Sequence, residues 1–446
     1  MIRSAIPDYM QRHLKSAEIP PGHRFGMYFP VWRDDWKKAD QEKTDALKKV
    51  LGISSVSQKM MAALVRRQKV MAIQQTSLTH FPAKSTSPFV TGLGNEHPLE
   101  NGFAFINPYG LPYLPGSSVK GVVRSAAEEL ALGVFGENHG WDMLAVWWLF
   151  GFEGGSSYLS SKAYNIDVLD EEAKRRRQAY RQWVEQSNYD SDCLGCFIAM
   201  TVTDKKKYQQ DLREFLLHLP DDISNQGALQ FWDVYPQNQK LSMDILTPHH
   251  GGYYKGENAP HDSEQPNPNV FLTIPSGSGF DFYCGCESAH LPISLQNNWQ
   301  DLLLAAFQYA FDWLGFGAKT AVGYGQMQKD SNAANSFERE KDRLEQQMLE
   351  NAKRMEEEER LKKMPPIERE ITQVLKENKD PNKKEYLVLL EAVRKQKWQD
   401  PDRQHVLERI RGMMQDAGGW KETTKKRKPE KDKEYQLTLE IKRLLE

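Results

Sequence analysis

Apolar residues recur at helical spacing in two stretches of this chain. Residues 117–132 place Val119, Val122, Val123, Ala126, Ala127 and Leu130 on one stripe. They follow a Pro115-Gly116 turn, so the pattern predicts a helix capped by Ser117. Residues 297–314 put Trp299, Leu302, Leu303, Ala306, Phe307, Ala310 and Leu314 on one face, and Gly315 ends the run. Residues 142–150 are almost continuously apolar and predict a buried helix, closed by a glycine–serine loop at 151–157. Charge-rich residues 171–186 predict an exposed helix, and 36–51, 55–69 and 208–218 predict three more. Strands are expected over 70–79, 196–202, 228–235, 270–274, 280–284 and 324–328, and loops with short strands over the Gly- and Pro-rich 83–116. Strands return often between the helices. This predicts an α+β fold rather than a doubly wound sheet.

The pattern changes near Lys329. Beyond it charges dominate as far as Lys363, and Leu344, Met348 and Met355 trace only a narrow apolar seam, as on a long solvated helix or a coiled-coil partner. Pro365-Pro366 interrupts it. Helices are expected over 366–378, 384–398 and 403–416, then a basic link at 425–428 and a last amphipathic helix over 434–445. The chain therefore divides into an N-terminal helical and loop segment (1–69), a core (70–330) and a charged, all-helical extension (331–446).

Charge narrows the function classes. The net charge is −2. Residues 331–446 hold 28 Lys and Arg against 25 Asp and Glu, or +3, which leaves −5 for the rest. A free-standing nucleic-acid scavenger would be basic overall. A subunit that meets RNA only inside an assembly needs little long-range attraction. Four cysteines in 446 residues fit a reducing compartment, and the cytoplasm is the default expectation. No run of eighteen apolar residues predicts a membrane span, and the start, MIRSAIPDYMQRHLKS, shows no apolar signal segment.

Four groups of residues carry candidate chemistry. The stretch 315–325, GFGAKTAVGYG, sets four glycines around Lys319 and Thr320. Its spacing is neither the dinucleotide fingerprint, which needs Gly at 320, nor a Walker A loop, which needs Gly at 318. A backbone-lined loop for a polynucleotide is left, with Gly315, Gly317, Gly323 and Gly325 as its hinges. In 114–124, LPGSSVKGVVR, a Gly-Ser-Ser turn opens a helix, and Lys120 and Arg124 share a face with Ser117. A capped surface helix with routine basic residues would read the same. The loop 243–254, MDILTPHHGGYY, offers His249, His250, Tyr253 and Tyr254 for stacking and hydrogen bonding. A general base at His249 or His250, a metal site with Asp244 or His261, and a plain surface loop are the other readings. Cys193, Cys196, Cys284 and Cys286 could form a four-thiolate zinc site, but their spacing departs from paired C-x2-C knuckles and buried free thiols are commoner. Asp233, at a strand end before Pro236, reads as a turn cap more readily than as a catalytic carboxylate. No cofactor is expected.

The order of these motifs carries a resemblance. TGLGNEHPLE (91–100), LPYLPGSSVKGVVR (111–124), FWDVYP (231–236), LSMDILTPHHGGYY (241–254) and GFGAKTAVGYG (315–325) together resemble the RAMP superfamily of CRISPR proteins, over about residues 70–330. More narrowly they resemble the sixth-subunit family of the type III-B (Cmr) effector complex. The resemblance implies ferredoxin-like, RRM-related folding in one or two βαββαβ units. It implies a non-catalytic, RNA-binding structural subunit in antiviral defence, capping the backbone filament near the 3′ part of the guide crRNA. Implied partners are guide and target RNA, the neighbouring RAMP backbone subunit, the small helical subunit and the first RAMP subunit. Carried onto this chain, it implies that Ser117, Ser118, Lys120, Arg124, Gly315, Gly317, Lys319, Thr320, Gly323 and Gly325 lie near the guide backbone, with His249, His250 and Tyr253 as weaker candidates. The alternative is a metal-independent RNA endonuclease of the same superfamily that processes guide precursors. The extension 331–446 does not map onto the family core.

Overall fold

A computed structural model describes residues 2–7, 9–10, 14, 18–39, 42–75, 77–133, 136–156, 158–160, 171–186, 189–202, 211–247, 256, 259, 268–378, 380, 382–424 and 428–446. The chain forms two compact units, Met1–Lys341 and Asp342–Glu446.

The first unit is built on a four-stranded antiparallel sheet. Its strands are β1 (Leu78–Ser85), β6 (Leu229–Phe231), β9 (Gly279–Cys286) and β10 (Met327–Lys329), in the order β10-β1-β9-β6. Three two-stranded pairs accompany it: β2 (Phe105–Ile106) with β3 (Leu111–Pro112), β4 (Gly151–Glu153) with β5 (Ser224–Gln226), and β7 (Ser242–Leu246) with β8 (Asn269–Thr273). The longer helices of this unit are α1 (Ser55–Gln74), α2 (Gly116–Ala131), α3 (Met143–Phe150), α4 (Glu171–Gln186), α5 (Ser191–Thr201) and α6 (Trp299–Tyr309). Helix α2 connects β1 to β6 and α6 connects β9 to β10, and the two helices pack on each other.

Side-chain alternation gives the sheet two different faces. Phe81 and Phe282 are register partners, so both point to the helical side. Phe81 stacks on Phe307 of α6 at 4.1 Å, and Phe282 lies 4.8 Å from the ring of Phe316. His80 and Tyr283, also partners, point the other way. Their rings stack at 4.9 Å, Phe337 covers His80 at 4.2 Å, and the Asp281 carboxylate accepts from His80 Nε2 at 2.7 Å. The second face of the sheet is therefore closed by a side chain from the helix that follows β10.

Several elements differ from their sequence reading. Residues 70–74 continue α1, and the strand starts only at Leu78. Residues 196–201 are helical, not a strand. The Asp190 carboxylate accepts the amides of Asp192 and Cys193, which starts α5, and Cys193, Leu194, Phe197 and Ile198 then fall on one buried face beside Trp147 and Trp148. Helix α6 ends in a π turn, Ala310–Leu314, closed by a Gly315 amide to Ala310 carbonyl bond of 2.8 Å. The extra residue per turn moves Leu314 off the fully buried face and turns Trp313 to solvent at 73% exposure. Residues 242–246, read as the start of a loop, are strand β7. Helix α3 forms as expected: Asp142 accepts the Ala145 amide at 2.7 Å and every side chain from Met143 to Phe150 is buried.

Helix α7 (Ser331–Lys363) leaves the first unit. The second unit contains α8 (Pro366–Lys376), α9 (Glu385–Arg394), α10 (Asp402–Asp416) and α11 (Lys433–Leu445), each packed on the next. It has its own core, including Ile371, Leu389, Leu390, Leu407, Ile410 and Ile441. Arg394 grips Glu440 with two bonds of 2.8 and 2.6 Å. The Leu344–Met348–Met355 seam of α7 includes exposed Met348 and Met355.

Among the described residues no helix is long and apolar enough to cross a membrane.

Candidate nucleic-acid interface at one end of the sheet

Helix α2 begins without a cap from Ser117. Pro115 occupies the cap position, and the Asp233 carboxylate, just beyond β6, accepts the Gly116 amide at 2.8 Å. Ser117 sits inside the first turn, because a carboxylate from a distant segment supplies the acceptor that a local hydroxyl would otherwise provide. Gly116 is needed there: a Cβ would lie 2.3 Å from the Phe231 carbonyl oxygen. Ser117 and Ser118 are exposed on the opening turn and Lys120 is half-buried, its ammonium pKa lowered mainly by desolvation. Asp233 thus caps a helix through space.

The surroundings of Asp233 were not legible as a site. Gln68 of α1 donates to the Asp233 carbonyl at 2.7 Å. Tyr235 has its phenol pKa raised by burial first and by Asp233 second, and it also feels Arg67, Tyr109 and Tyr113. Tyr109, Tyr113 and Tyr235 pack against Met61 and Leu64 of α1. Among the described residues Arg67 is exposed and has no ion-pair partner. The only sequence signal was the concentration of tyrosine in YGLPY (109–113) beside the PGSS turn, with Arg67 some forty residues earlier.

The glycine stretch is a tight clamp. Phe316 is fully buried in the aromatic core, and Lys319 adopts φ +61°, ψ +30°. The Phe316 amide donates to Gly325, Ala318 to Val90, and Gly325 to Pro88, at 3.0, 2.8 and 2.8 Å. The amides of Val322, Gly323 and Tyr324 donate within the loop. These six N–H groups hold the chain itself and are closed to a ligand. The charged group it carries is Lys319, half-exposed with its ammonium 5.6 Å from the Phe271 ring centroid. Tyr324 donates to Asp244 of β7 at 2.7 Å, and its pKa is pushed up to about 12 by burial and by that carboxylate. The loop is thereby fixed to the β7–β8 pair.

Register places the glycine loop at one end of the sheet. Met327 pairs with Ser85, and Lys84 with Gly279, so the C-terminal end of β1 and the starts of β9 and β10 lie together. The glycine loop leads directly into β10 there. On the other side Gln237, four residues past Asp233, bridges to Gly279. Lys319 thus belongs to this end, whereas the Ser117–Ser118 turn follows Gly116, which packs on Phe231 and Asp233, and Phe231 lies opposite Cys284 towards the other end of β9.

Arg124 does not. It lies about 12 Å further along α2 at 1.5 Å per residue, and its Nε donates to the buried Glu128 carboxylate at 2.9 Å. Arg176 joins the same carboxylate at 3.4 Å. Arg124 is therefore bound up in a structural ion-pair network. His249, His250, Tyr253, Tyr254 and His261 lie outside the described residues.

The cysteines are free. Cys193, Cys284 and Cys286 are buried and Cys196 is exposed. Burial pushes the Cys193 and Cys286 thiols up to about 12 and the Cys284 thiol well above its ordinary value. Among the described residues no group of three or more His, Cys, Asp or Glu is placed to hold a metal ion.

A mixed helix–sheet core carrying these motifs defines a class. The RAMP superfamily model matches residues 83–328, more than half of the sequence, and the chain belongs to that superfamily. Within it, the chain is similar to the CRISPR system Cmr subunit Cmr6 of Pyrococcus furiosus, with 27% identity over 255 residues. That alignment takes in 55% of this chain and 66% of the relative, just under two-thirds of its length. Two solved structures are also similar. The crystal structure of Cmr6 from Pyrococcus furiosus is 22% identical, with 57% of this chain and 99% of that one covered at a TM-score of 0.27. A chain of the cryo-EM structure of the Type III-B Cmr-beta bound to cognate target RNA is 14% identical, with 68% and 78% covered at a TM-score of 0.34.

Proposed function

We propose that this chain is a non-catalytic, RNA-holding subunit of a type III-B CRISPR effector complex, capping the backbone filament near the 3′ end of the guide RNA. Its protein neighbours in this reading are the adjacent RAMP backbone subunit, the small helical subunit and the first RAMP subunit. The core is read as one ferredoxin-like βαββαβ unit. Supporting this, β1-α2-β6-β9-α6-β10 has the strand order fourth-first-third-second, with every neighbour antiparallel.

The observation that carries the reading is the Lys319 loop fixed at one end of the sheet, in a member of a CRISPR superfamily. An RRM stacks bases on its open sheet face. Here Phe337 covers that face, which favours the sheet end instead. Lys319 supplies positive charge at that end; beside Asp233, Lys120 and Arg67 add more, the α2 N-terminus its dipole, and Ser117 and Ser118 their hydroxyls. These groups suit phosphate and ribose and read no base sequence, as a subunit that must accept any guide requires.

The test is co-purification of the tagged full-length chain from its native host, with RNA extracted and sequenced. Short CRISPR guides are expected with the natural sequence, and lower guide occupancy with Arg67→Gln/Lys319→Gln. Removing two phosphate contacts should also flatten the salt dependence by a slope of roughly 1.4–1.8. Unchanged occupancy in the double variant would contradict the RNA-holding role. Site-specific cleavage of repeat RNA by the pure protein in EDTA would contradict the non-catalytic one.

A further inference from the structure

The outward face of helix α6 and its π turn runs up to the glycine loop and is not used in the reading above. Leu304 is 44% exposed and Trp313 is 73% exposed. Two adjoining grooves of about 300 and about 580 Å³ run along this face and share Asp301, Leu304, Gln308 and Lys329 in their walls. The larger is also lined by Glu137, Asp312 and Trp313. Asp312 accepts a bond from Gln308 at 2.9 Å. Among the described residues Asp301 and Glu137 have neither a hydrogen-bonding nor an ion-pair partner. Three carboxylates face one lysine, Lys329, and His139 in this groove.

We infer that this face is a protein-docking surface for a basic segment: a partner chain that lays an apolar side chain beside Leu304 and Trp313 and sets Lys or Arg against Asp301, Asp312 and Glu137. The physical case has three parts. An exposed tryptophan is the residue type most often found as an interface anchor, because it buries a large area at little entropic cost. The π turn adds the one residue that turns Trp313 outward, where continued α-helix would have directed the apolar stripe inward. The excess of carboxylates repels phosphate and favours ammonium or guanidinium groups, so the occupant is protein and not RNA.

The inference rests on the proposed place in a multi-subunit assembly, and the experiment separates the two. The tagged full-length chain is purified with its partners in three forms: natural, Trp313→Ala, and Asp301→Lys/Asp312→Lys. The natural assembly is treated with a zero-length carboxylate-to-amine crosslinker and mapped by mass spectrometry. Crosslinks from Asp301, Asp312 or Glu137 to lysines of one other protein are expected. That same protein should be lost or bind at least roughly 30-fold more weakly in both variants, while guide RNA stays bound. Trp313 is largely solvated, so Trp313→Ala leaves the fold intact, and an unchanged urea midpoint checks this. Full protein stoichiometry in both variants would overturn the docking surface alone. Photocrosslinking of RNA to Trp313 would overturn it in favour of a nucleic-acid contact. A natural chain recovered without RNA and without partners would overturn the proposed function, and the docking surface with it.

Discussion

Gly317 and Gly323 sit in one loop at almost the same φ, +91° and +92°, yet alanine should affect them differently. A Cβ at Gly323 would meet no atom within 4 Å. One at Gly317 would lie 2.2 Å from the Val90 carbonyl oxygen and 2.8 Å from the Phe89 ring. That carbonyl already accepts the Ala318 amide. Gly323→Ala therefore costs only the strain of an L-residue at positive φ, about 1–2 kcal/mol. Gly317→Ala carries the same strain and must also push the loop off residues 89–90. The lost hydrogen bond adds about 1 kcal/mol, and crowding of buried Phe89 adds about 1–3 kcal/mol. The gap between the two variants is about 2–4 kcal/mol. At an m-value of about 3 kcal/mol/M it appears as a difference of roughly 1 M in the urea midpoint followed by tryptophan fluorescence. Equal midpoints for the two variants would refute the clamp, and with it the claim that this loop spends its amides on the chain.

Asp233→Ala should cost about 1–2 kcal/mol by removing the acceptor of the Gly116 amide, and Asp233→Asn much less; a catalytic carboxylate would instead show no stability effect. Glu128→Ala should cost about 1–3 kcal/mol, since it strands Arg124 and Arg176 and both arginines are still partly solvated; a midpoint unchanged from the natural chain would show that the network contributes nothing. Thiol titration with a disulfide reagent at pH 8 should count one fast thiol, Cys196, and three more only in denaturant, because burial keeps Cys193, Cys284 and Cys286 protonated. Four fast thiols in the native protein would contradict the packing of α5 and β9. The Tyr324–Asp244 bond has a sign in pH. The folded phenol titrates near 12, above its ordinary 10.0. Its stabilisation is therefore complete below pH 10 and is lost as pH rises towards 12. The stability difference between the natural chain and Tyr324→Phe should follow that course, and a difference that grows with pH would contradict it.

The order of strands and helices in the core, and the two glycine-bearing motifs, were legible because each is local. Helices α2 and α6 announce themselves through stripes at i, i+3 and i+4, and the Pro-Gly and Gly-x-Gly breaks mark where they start or stop. Two of the failures share a cause. At 70–74 and 196–201 short apolar runs fit either period, and neighbours chose the helix: the length of α1 in one case, the Asp190 cap and the Trp147–Trp148 surface in the other.

Sequence alone thus determined an α+β core, a charged helical extension and the resemblance to the RAMP superfamily, since these depend on composition, periodicity and motif order. Only tertiary structure decided what the motifs do. It gave the cap of α2 to Asp233, more than a hundred residues away, and tied Arg124 to Glu128. It turned six loop amides inward and set the Lys319 ammonium by the Phe271 ring. It closed one sheet face with Phe337 and exposed Trp313 through a single extra residue in a helical turn. Each of these is a choice of partner across space. A side chain's chemistry is written in the sequence, but whether that chemistry is spent inside the fold or offered to a ligand depends on which groups the fold brings within hydrogen-bonding distance.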